Sequence, residues 1–291
     1  MAQNVWFYPL GVGDAFTAKH FFVNGLFHVD GREFLVDAPA YMGKMWAENN
    51  AVGEEQVDIT RYKELFITHM HADHVGGLEE LGYFQMYKTD NPIKLYAPGW
   101  LLQDIWTHLR PALEPSVREE GGLANFDWFF EPIPLDRPEV SGLQGGSHVD
   151  FGTFSVDFTF TKHLPKTLMY KFDFGNFRFG YSPDAAFDRD CLDWLSDCDL
   201  VMHDCWFGEV KVLGGDIRNL HSPIEDLLTM PVDFQRKTLL CHYADGAYDD
   251  DPAAPNENIG DYHLMRQNRK YHLVVDGRPL SRAEWLDPPK G

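Results

Sequence analysis

The chain has 291 residues, 44% of them hydrophobic and 14% aromatic, enough for one large core or two small ones. Its net charge of −20 argues against tight nucleic-acid binding through phosphates, which needs clustered Lys and Arg. No run approaches the roughly 18 apolar residues of a membrane span. The opening Met-Ala-Gln-Asn-Val-Trp-Phe has neither the charged nor the apolar region of a secretion signal. Cys191, Cys198, Cys205 and Cys241 show no CxxC spacing and no disulfide framework, and read as reduced and buried. These features predict a soluble, cytoplasmic protein.

Residues 4–17 read as a strand that breaks into a glycine loop, Leu10-Gly-Val-Gly-Asp14-Ala-Phe16. Phe27-His-Val, then Asp30-Gly31, then Arg32 to Asp37 form a hairpin with a type I′ turn signal, and Asp37 ends its strand. A further apolar run meets Phe66-Ile-Thr-His69-Met-His71-Ala-Asp73-His74-Val-Gly-Gly77. In extended backbone, residues 69 and 71 point to one side. Asp73 and His74, where the chain turns into a helix, can aim at a second point. Neutral imidazole and carboxylate suit Zn²⁺, Mn²⁺ or Fe, and a donor set lacking thiolate suggests hydrolysis rather than structure. A polar loop of solvated histidines would account for a lone His, but poorly for this cluster.

Residues 75–88 read as a helix behind that loop, Lys94 to Gly99 as a strand and turn, and Trp100 to Leu109 as an amphipathic helix stopped by Pro111. The stretch 111–146 is the least regular. Its Phe126, Trp128, Phe129 and Phe130 read as satellite core, with a lid that stacks on a base or ring as the alternative. Alternation from Phe154 to Phe160 is a half-buried strand that delivers His163, and the following hairpin ends on Ser182-Pro-Asp184. Asp190 to Asp197 reads as a short helix, and Asp199 to Phe207 as a strand with a polar end at His203-Asp204. Ser222, Pro223 and Glu225 read as the N-cap, first turn and capping box of a helix, which leaves His221 unexplained beside that helix N-terminus. Thr238 to His242 is a buried strand. The tail carries the acidic Asp249-Asp250-Asp251, read as a solvated loop, and a hairpin signal at Asp276-Gly277.

The 69–74 cluster, followed in chain order by His163, Asp184, His221 and His242, resembles the metallo-β-lactamase superfamily, whose α/β fold is an αββα four-layer sandwich. Leu-Gly-x-Gly-Asp-Ala-Phe is similar to the opening of its ribonuclease Z and phosphodiesterase branch. The resemblance covers roughly residues 4–245. It implies a hydrolase domain over 1–245, with an insertion around 111–146 and an extension, 246–291, packed on the same domain. It also implies two divalent ions, Zn²⁺ ahead of Mn²⁺ or Fe. His69, His71 and His163 would hold the first, Asp73, His74 and His242 the second, and Asp184 would bridge them. Asp37 and His203 are expected to support the ligands from behind. Asp73 is expected to orient or deprotonate the nucleophile. His221, which matches the branch's His-Ser-Thr motif and is held near Asp204, is expected to protonate the leaving alkoxide.

Two departures bear on the substrate. The Pro-x-Lys-x-Arg-Asn loop of tRNA-processing members is replaced by Thr17-Ala-Lys-His-Phe-Phe-Val-Asn24, and no room remains between His163 and Asp184 for their tRNA-gripping arm. The expected activity is therefore a dinuclear phosphodiesterase that opens a small phosphodiester, a cyclic nucleotide first, by attack of a hydroxide bridging the two ions. A tRNA 3′-processing endonuclease, a lactonase or ester hydrolase on the same fold, and a non-catalytic metal protein are the alternatives. A homodimer carries over from the branch. No residue stands out as a contact to substrate.

Overall fold

The structure is a computed structural model describing residues 1–58, 61–89, 92–116, 122–136, 148–209, 211–212, 215–247 and 258–286. Alternating apolar residues assemble two sheets in chain order. β1 (Val5–Gly11) pairs antiparallel with β2 (Asn24–Val29), which turns into β3 (Arg32–Val36). That turn places Asp30 and Gly31 at φ of 51° and 90°, as the type I′ signal predicts. β4 (Glu64–Phe66), β5 (Ile93–Ala97) and β6 (Phe130–Pro134) extend the sheet in parallel.

The second sheet begins with the antiparallel β7 (His148–Asp150), β8 (Ser155–Phe160), β9 (Leu168–Asp173) and β10 (Arg178–Ser182). β11 (Leu200–Asp204) lies parallel to β10. After a short ribbon of β12 (Lys211–Val212) and β13 (Gly215–Asp216), β14 (Thr238–Cys241) and β15 (His263–Leu264) continue in parallel. The chain then crosses back. β16 (Tyr271–Val275) pairs with the free side of β1, and β17 (Arg278–Pro279) follows it at the edge. The result is one eight-stranded and one seven-stranded sheet.

An aromatic layer joins the sheets. Phe27 lies 4.9 Å from Phe172 and 5.1 Å from Phe179, Phe7 4.8 Å from Phe179, and Phe34 5.2 Å from Phe172, between ring centroids. All five rings are buried. Tilted and edge-on pairs at such spacings add to the burial of the rings themselves. Helices pack on the first sheet, α1 (Met42–Val52) against β1 and α4 (Gly99–Leu113) against β5 and β6, with α3 (Leu78–Phe84) against α4, while the single turn α2 (Ala72–Val75) stands at the strand ends. This is the αββα sandwich expected from the motifs.

Several local expectations are corrected. The single helix over 75–88 is broken at Gly76-Gly77, because Gly77 N bonds Ala38 O at 2.8 Å and a Cβ there would sit 2.2 Å from Pro39 O. Beyond Phe84 the chain winds into a π-helical turn, Gln85–Thr89. Pro111 does not stop α4, which runs on to Leu113. Near a helix end, proline sacrifices one bond to the preceding turn, while Leu109 and Leu113 gain burial on a shared face. Within 111–146, α5 (Phe126–Phe129) stacks Phe126 on Trp106 at 5.3 Å, and Phe129 and Phe130 are fully buried, so these aromatics are core and no lid. Residues 117–121 and 137–147 and the acidic run Asp249–Asp251 lie outside the described residues. Cys198, Cys205 and Cys241 are buried and Cys191 half-buried, all as free thiols.

Because Phe27 touches both sheets, Phe27→Ala is expected to destabilise the fold by about 3–5 kcal/mol. Urea unfolding checks this, and a loss below about 1 kcal/mol would remove the aromatic layer from its central place.

Candidate active site

One edge of the sandwich collects the polar residues. β4 feeds Thr68 to His74, the β8–β9 connection carries His163, β10 leads to Asp184, β11 ends on Asp204, and β14 leads to His242. Two residues at this edge adopt backbone that L side chains seldom occupy. Asp37, just after β3, has φ 65° and His242 has φ 56°. Strain of this kind persists where the surroundings over-determine it. Here His242 N is held by Val12 O at 2.8 Å and Asp37 N by Phe66 O at 2.8 Å.

The residues expected as ligands converge in two groups. Ligand atoms of His69, His71, His163 and Asp184 lie within 4.8 Å of one another, and so do those of Asp73, His74 and His242. Asp184 faces both. Its Oδ2 is 3.5 Å from His69 Nε2, 3.5 Å from His163 Nε2 and 4.0 Å from His71 Nδ1. Its Oδ1 is 3.1 Å from His74 Nε2 and 3.5 Å from His242 Nε2. Asp73 Oδ2 approaches His74 Nε2 at 3.5 Å and His242 Nε2 at 3.3 Å.

These approaches are not a finished hydrogen-bond network. His69 Nε2, His74 Nε2 and both Asp184 oxygens are buried without a hydrogen-bond partner. Each such orphan costs about 1–3 kcal/mol. A cation at each focus would satisfy them together, and the nitrogen-and-oxygen donor set suits a divalent ion. The residues present therefore fit a metal pair.

Outer contacts choose which nitrogen each imidazole presents. Asp37 Oδ2 accepts from His74 Nδ1 at 2.9 Å, and its carboxylate also accepts from Thr68 N and Thr68 Oγ1 at 2.9 Å. The Thr68 hydroxyl in turn accepts from His69 Nδ1 at 3.0 Å. Leu220 O accepts from His163 Nδ1 at 2.7 Å. In all three rings Nε2 is the nitrogen turned toward the cluster. Thr68 and the Leu220 carbonyl have no place in the sequence reading. Adjacency to His69 is the signal that marks Thr68, whereas nothing in the sequence marks a carbonyl.

Charge follows from the same contacts. Burial pushes His69 down to about 3, so it is a neutral donor. Burial also opposes charge on His74 and His242, yet the Asp184 carboxylate outweighs it. His74 is raised well above its ordinary value and His242 to about 9. Burial raises Asp73, but hydrogen bonds from His242 and His74 win and hold its carboxyl low.

His221 stands beside the ligands. Asp204 Oδ2 accepts from His221 Nδ1 at 2.8 Å and from Ala185 N at 3.0 Å. Burial opposes a proton on His221, and the Asp204 charge overcomes it and raises the pKa. The His221 ring stacks on His242 at 4.9 Å and faces Trp206 at 6.1 Å. The expected helix N-terminus plays no part, since Ile224–Leu227 is a single turn with Pro223 at its N-cap. The capping box is also absent. Ser222 Oγ donates to Ala185 O at 2.8 Å and lies 3.2 Å from His203 Nε2, and Glu225 pairs with Arg218. His203, buried, touches Ser182 and Ser222 rather than any ligand.

A mixed α/β sandwich with His and Asp converging at strand ends is a metallo-β-lactamase-fold protein. Unliganded yeast PDE1 shares that fold, with a TM-score of 0.64 at 11% identity over 92% of this chain and 99% of its own. The family described as Anti-Pycsar protein Apyc1 matches residues 5–271, and the chain belongs to it. The Apyc1 of Paenibacillus xerothermodurans is 30% identical over 269 residues, 91% of this chain and 96% of the relative. That of Paenibacillus harenae is 32% identical over 239 residues, 81% and 88%. The chain is a hydrolytic enzyme.

Removing the Asp37 carboxylate frees the orientation of His74 and, through Thr68, of His69. Asp37→Ala is expected to weaken metal affinity about 10- to 100-fold in competition with a chromophoric chelator. Because His242 and His74 hold protons until a cation displaces them, zinc uptake at pH 7 should release protons, and apparent affinity should rise with pH toward about 9. Calorimetry in buffers of different ionisation enthalpy reads this directly. Uptake without proton release would contradict the charge assignment.

Proposed function

We propose that the chain is a dinuclear metal-dependent phosphodiesterase whose substrate is a cyclic nucleotide. The observation that carries this reading is the division of Asp184, with one carboxylate oxygen turned to each imidazole group. Membership of the anti-Pycsar family supports a small cyclic nucleotide as the diester. The net charge of −20 supports a compact substrate over a polynucleotide.

His69, His71 and His163 would hold one ion, Asp73, His74 and His242 the other, with Asp184 between them and zinc as the first candidate. When bound, two such ions neutralise phosphoryl charge and make water a nucleophile near neutral pH. Asp73, kept ionised by hydrogen bonds from His242 and His74, would orient the attacking water or take up its proton. As the bond from phosphorus to one ribose oxygen breaks, the alkoxide needs a proton. His221 provides it from Nε2, because Nδ1 is engaged by Asp204. Asp204 positions the ring and keeps it charged. His203 holds Ser222, the residue after His221, and so steadies this donor from behind. We also take residues 1–245 as the hydrolase domain and 246–291 as an extension packed on it, supported by the pairing of β15 and β16 with β14 and β1.

The test loads wild type, Asp184→Asn and His221→Ala with zinc and offers cyclic nucleotides, bis(p-nitrophenyl) phosphate, a precursor tRNA and a lactone. Wild type should open a cyclic nucleotide, and Asp184→Asn should not. His221→Ala should lose about 10²- to 10⁴-fold on the cyclic nucleotide, whose leaving group needs a proton, and far less on the nitrophenyl ester. Cleavage of the tRNA or lactone alone would sink the proposal.

A further inference from the structure

A recess of about 330 Å³ is lined by Thr17, His20, Phe21 and Phe22 on one side and by Ala40, Tyr41 and Lys44 on the other. Both walls are fastened to segments that carry ligands. The Asp245 carboxylate accepts from Thr17 Oγ1, from Ala18 N at 2.8 Å and from Lys19 N at 3.2 Å, which ties the first wall to the chain leaving His242. The His20 ring meets the Tyr243 ring edge-on at 5.7 Å. On the other side, Ala38 N bonds His74 O at 2.7 Å, and a Cβ on Gly76 would lie 3.4 Å from that of Ala40.

The lining is aromatic with one cation at the rim. Lys44 Nζ stands 5.7 Å from the Phe21 ring centroid and pairs with Glu48 at 2.9 Å. Tyr41 is the unusual member. Its φ is 64°, a left-handed conformation that an aromatic residue seldom adopts, and its ring is 70% exposed. Folding alone gains little from a strained residue whose large ring faces water. Such strain clusters at ligand clamps. The volume matches a small-ligand site, and the lining offers two aromatic rings, Phe21 and Tyr41, of the kind on which a purine or pyrimidine stacks.

We propose that this recess is the base subsite, in which the heterocycle of the nucleotide stacks between Phe21 and Tyr41 while the phosphodiester lies against the His74–His242 side. The inference rests on the cyclic-nucleotide reading above, and Phe21 and Tyr41 are its specificity-determining residues. Asp245 is a positioning residue, because it acts through the Thr17–Lys19 backbone.

Tyr41→Gly gives the test its sharpest variant, since glycine accepts the left-handed backbone and removes only the ring. Zinc-loaded wild type, Tyr41→Gly, Tyr41→Phe, Phe21→Leu and the distant Tyr87→Ala are compared on a cyclic nucleotide and on methyl p-nitrophenyl phosphate, which has no base. Binding of a nucleoside 5′-monophosphate is measured by calorimetry alongside. For Tyr41→Gly and Phe21→Leu, the ratio of kcat/KM for cyclic nucleotide to that for the methyl ester should fall about tenfold or more, through KM, and monophosphate binding should weaken in step. Tyr87→Ala should keep the wild-type ratio, and Tyr41→Phe, which retains the ring, should recover most of what Tyr41→Gly loses. If Tyr41→Gly and Phe21→Leu leave both ratio and binding at wild-type values while the cyclic nucleotide is still opened, the base does not bind here and the inference is overturned alone. If wild type hydrolyses the methyl ester but no cyclic nucleotide, the functional reading fails and the inference falls with it.

Discussion

The protein is organised around a carboxylate buried where a lone carboxylate has no business. Asp184 is almost fully enclosed, faces four imidazoles within 3.5 Å, and finds no hydrogen-bond geometry with any of them. Burying an anion this way is very unfavourable unless opposite charge is delivered to it. Protons on His74 and His242 deliver part of that charge, and a pair of cations would deliver more. Everything else at this edge of the sandwich can be read as a means of holding the imidazoles around that one side chain.

The holding is done mainly by backbone. Three parallel strands, β10, β11 and β14, end at the same level, so Asp184, Asp204 and His242 reach one focus with little loop between strand and site. Asp37 adds a cross-brace from the other sheet, gripping Thr68 and His74 at once. The two left-handed residues, Asp37 and His242, show where the chain departs from its preferred conformations to meet the geometry. A rigid floor of aromatic rings between the sheets makes this possible, because strand ends can be placed to a fraction of an ångström only when the strands themselves cannot slide.

The sequence made some of this legible and concealed the rest for physical reasons. His69, His71, Asp73 and His74 were visible because their spacing is local, and a few residues of strand and turn determine where they point. His163, Asp184 and His242 lie far apart in the chain, so only family resemblance linked them, and the sheet topology is what brings them together. Pro111 and the Ser222–Glu225 stretch misled because local propensity was outvoted. Burial of Leu113 carried a helix past proline, and His203 and Ala185 claimed the Ser222 hydroxyl before a helix could. Tyr41 carried no signal, since a backbone angle imposed by neighbouring loops leaves no mark on composition.

The place of β16 has a consequence for how the first sheet closes. β1 sits inside that sheet and bonds on one side to β2 and on the other to β16, with Val5 opposite Val274. One side of β1 closes on a neighbour in sequence, and the other waits for a contact of very long sequence separation, the kind that forms late. Until β16 docks, β1 presents a row of unpaired backbone groups, which is a template for pairing with another chain. Loss of β16 would therefore expose a sheet edge next to the segment that leads to Asp14 and the recess, and its cost would be association as much as lowered stability.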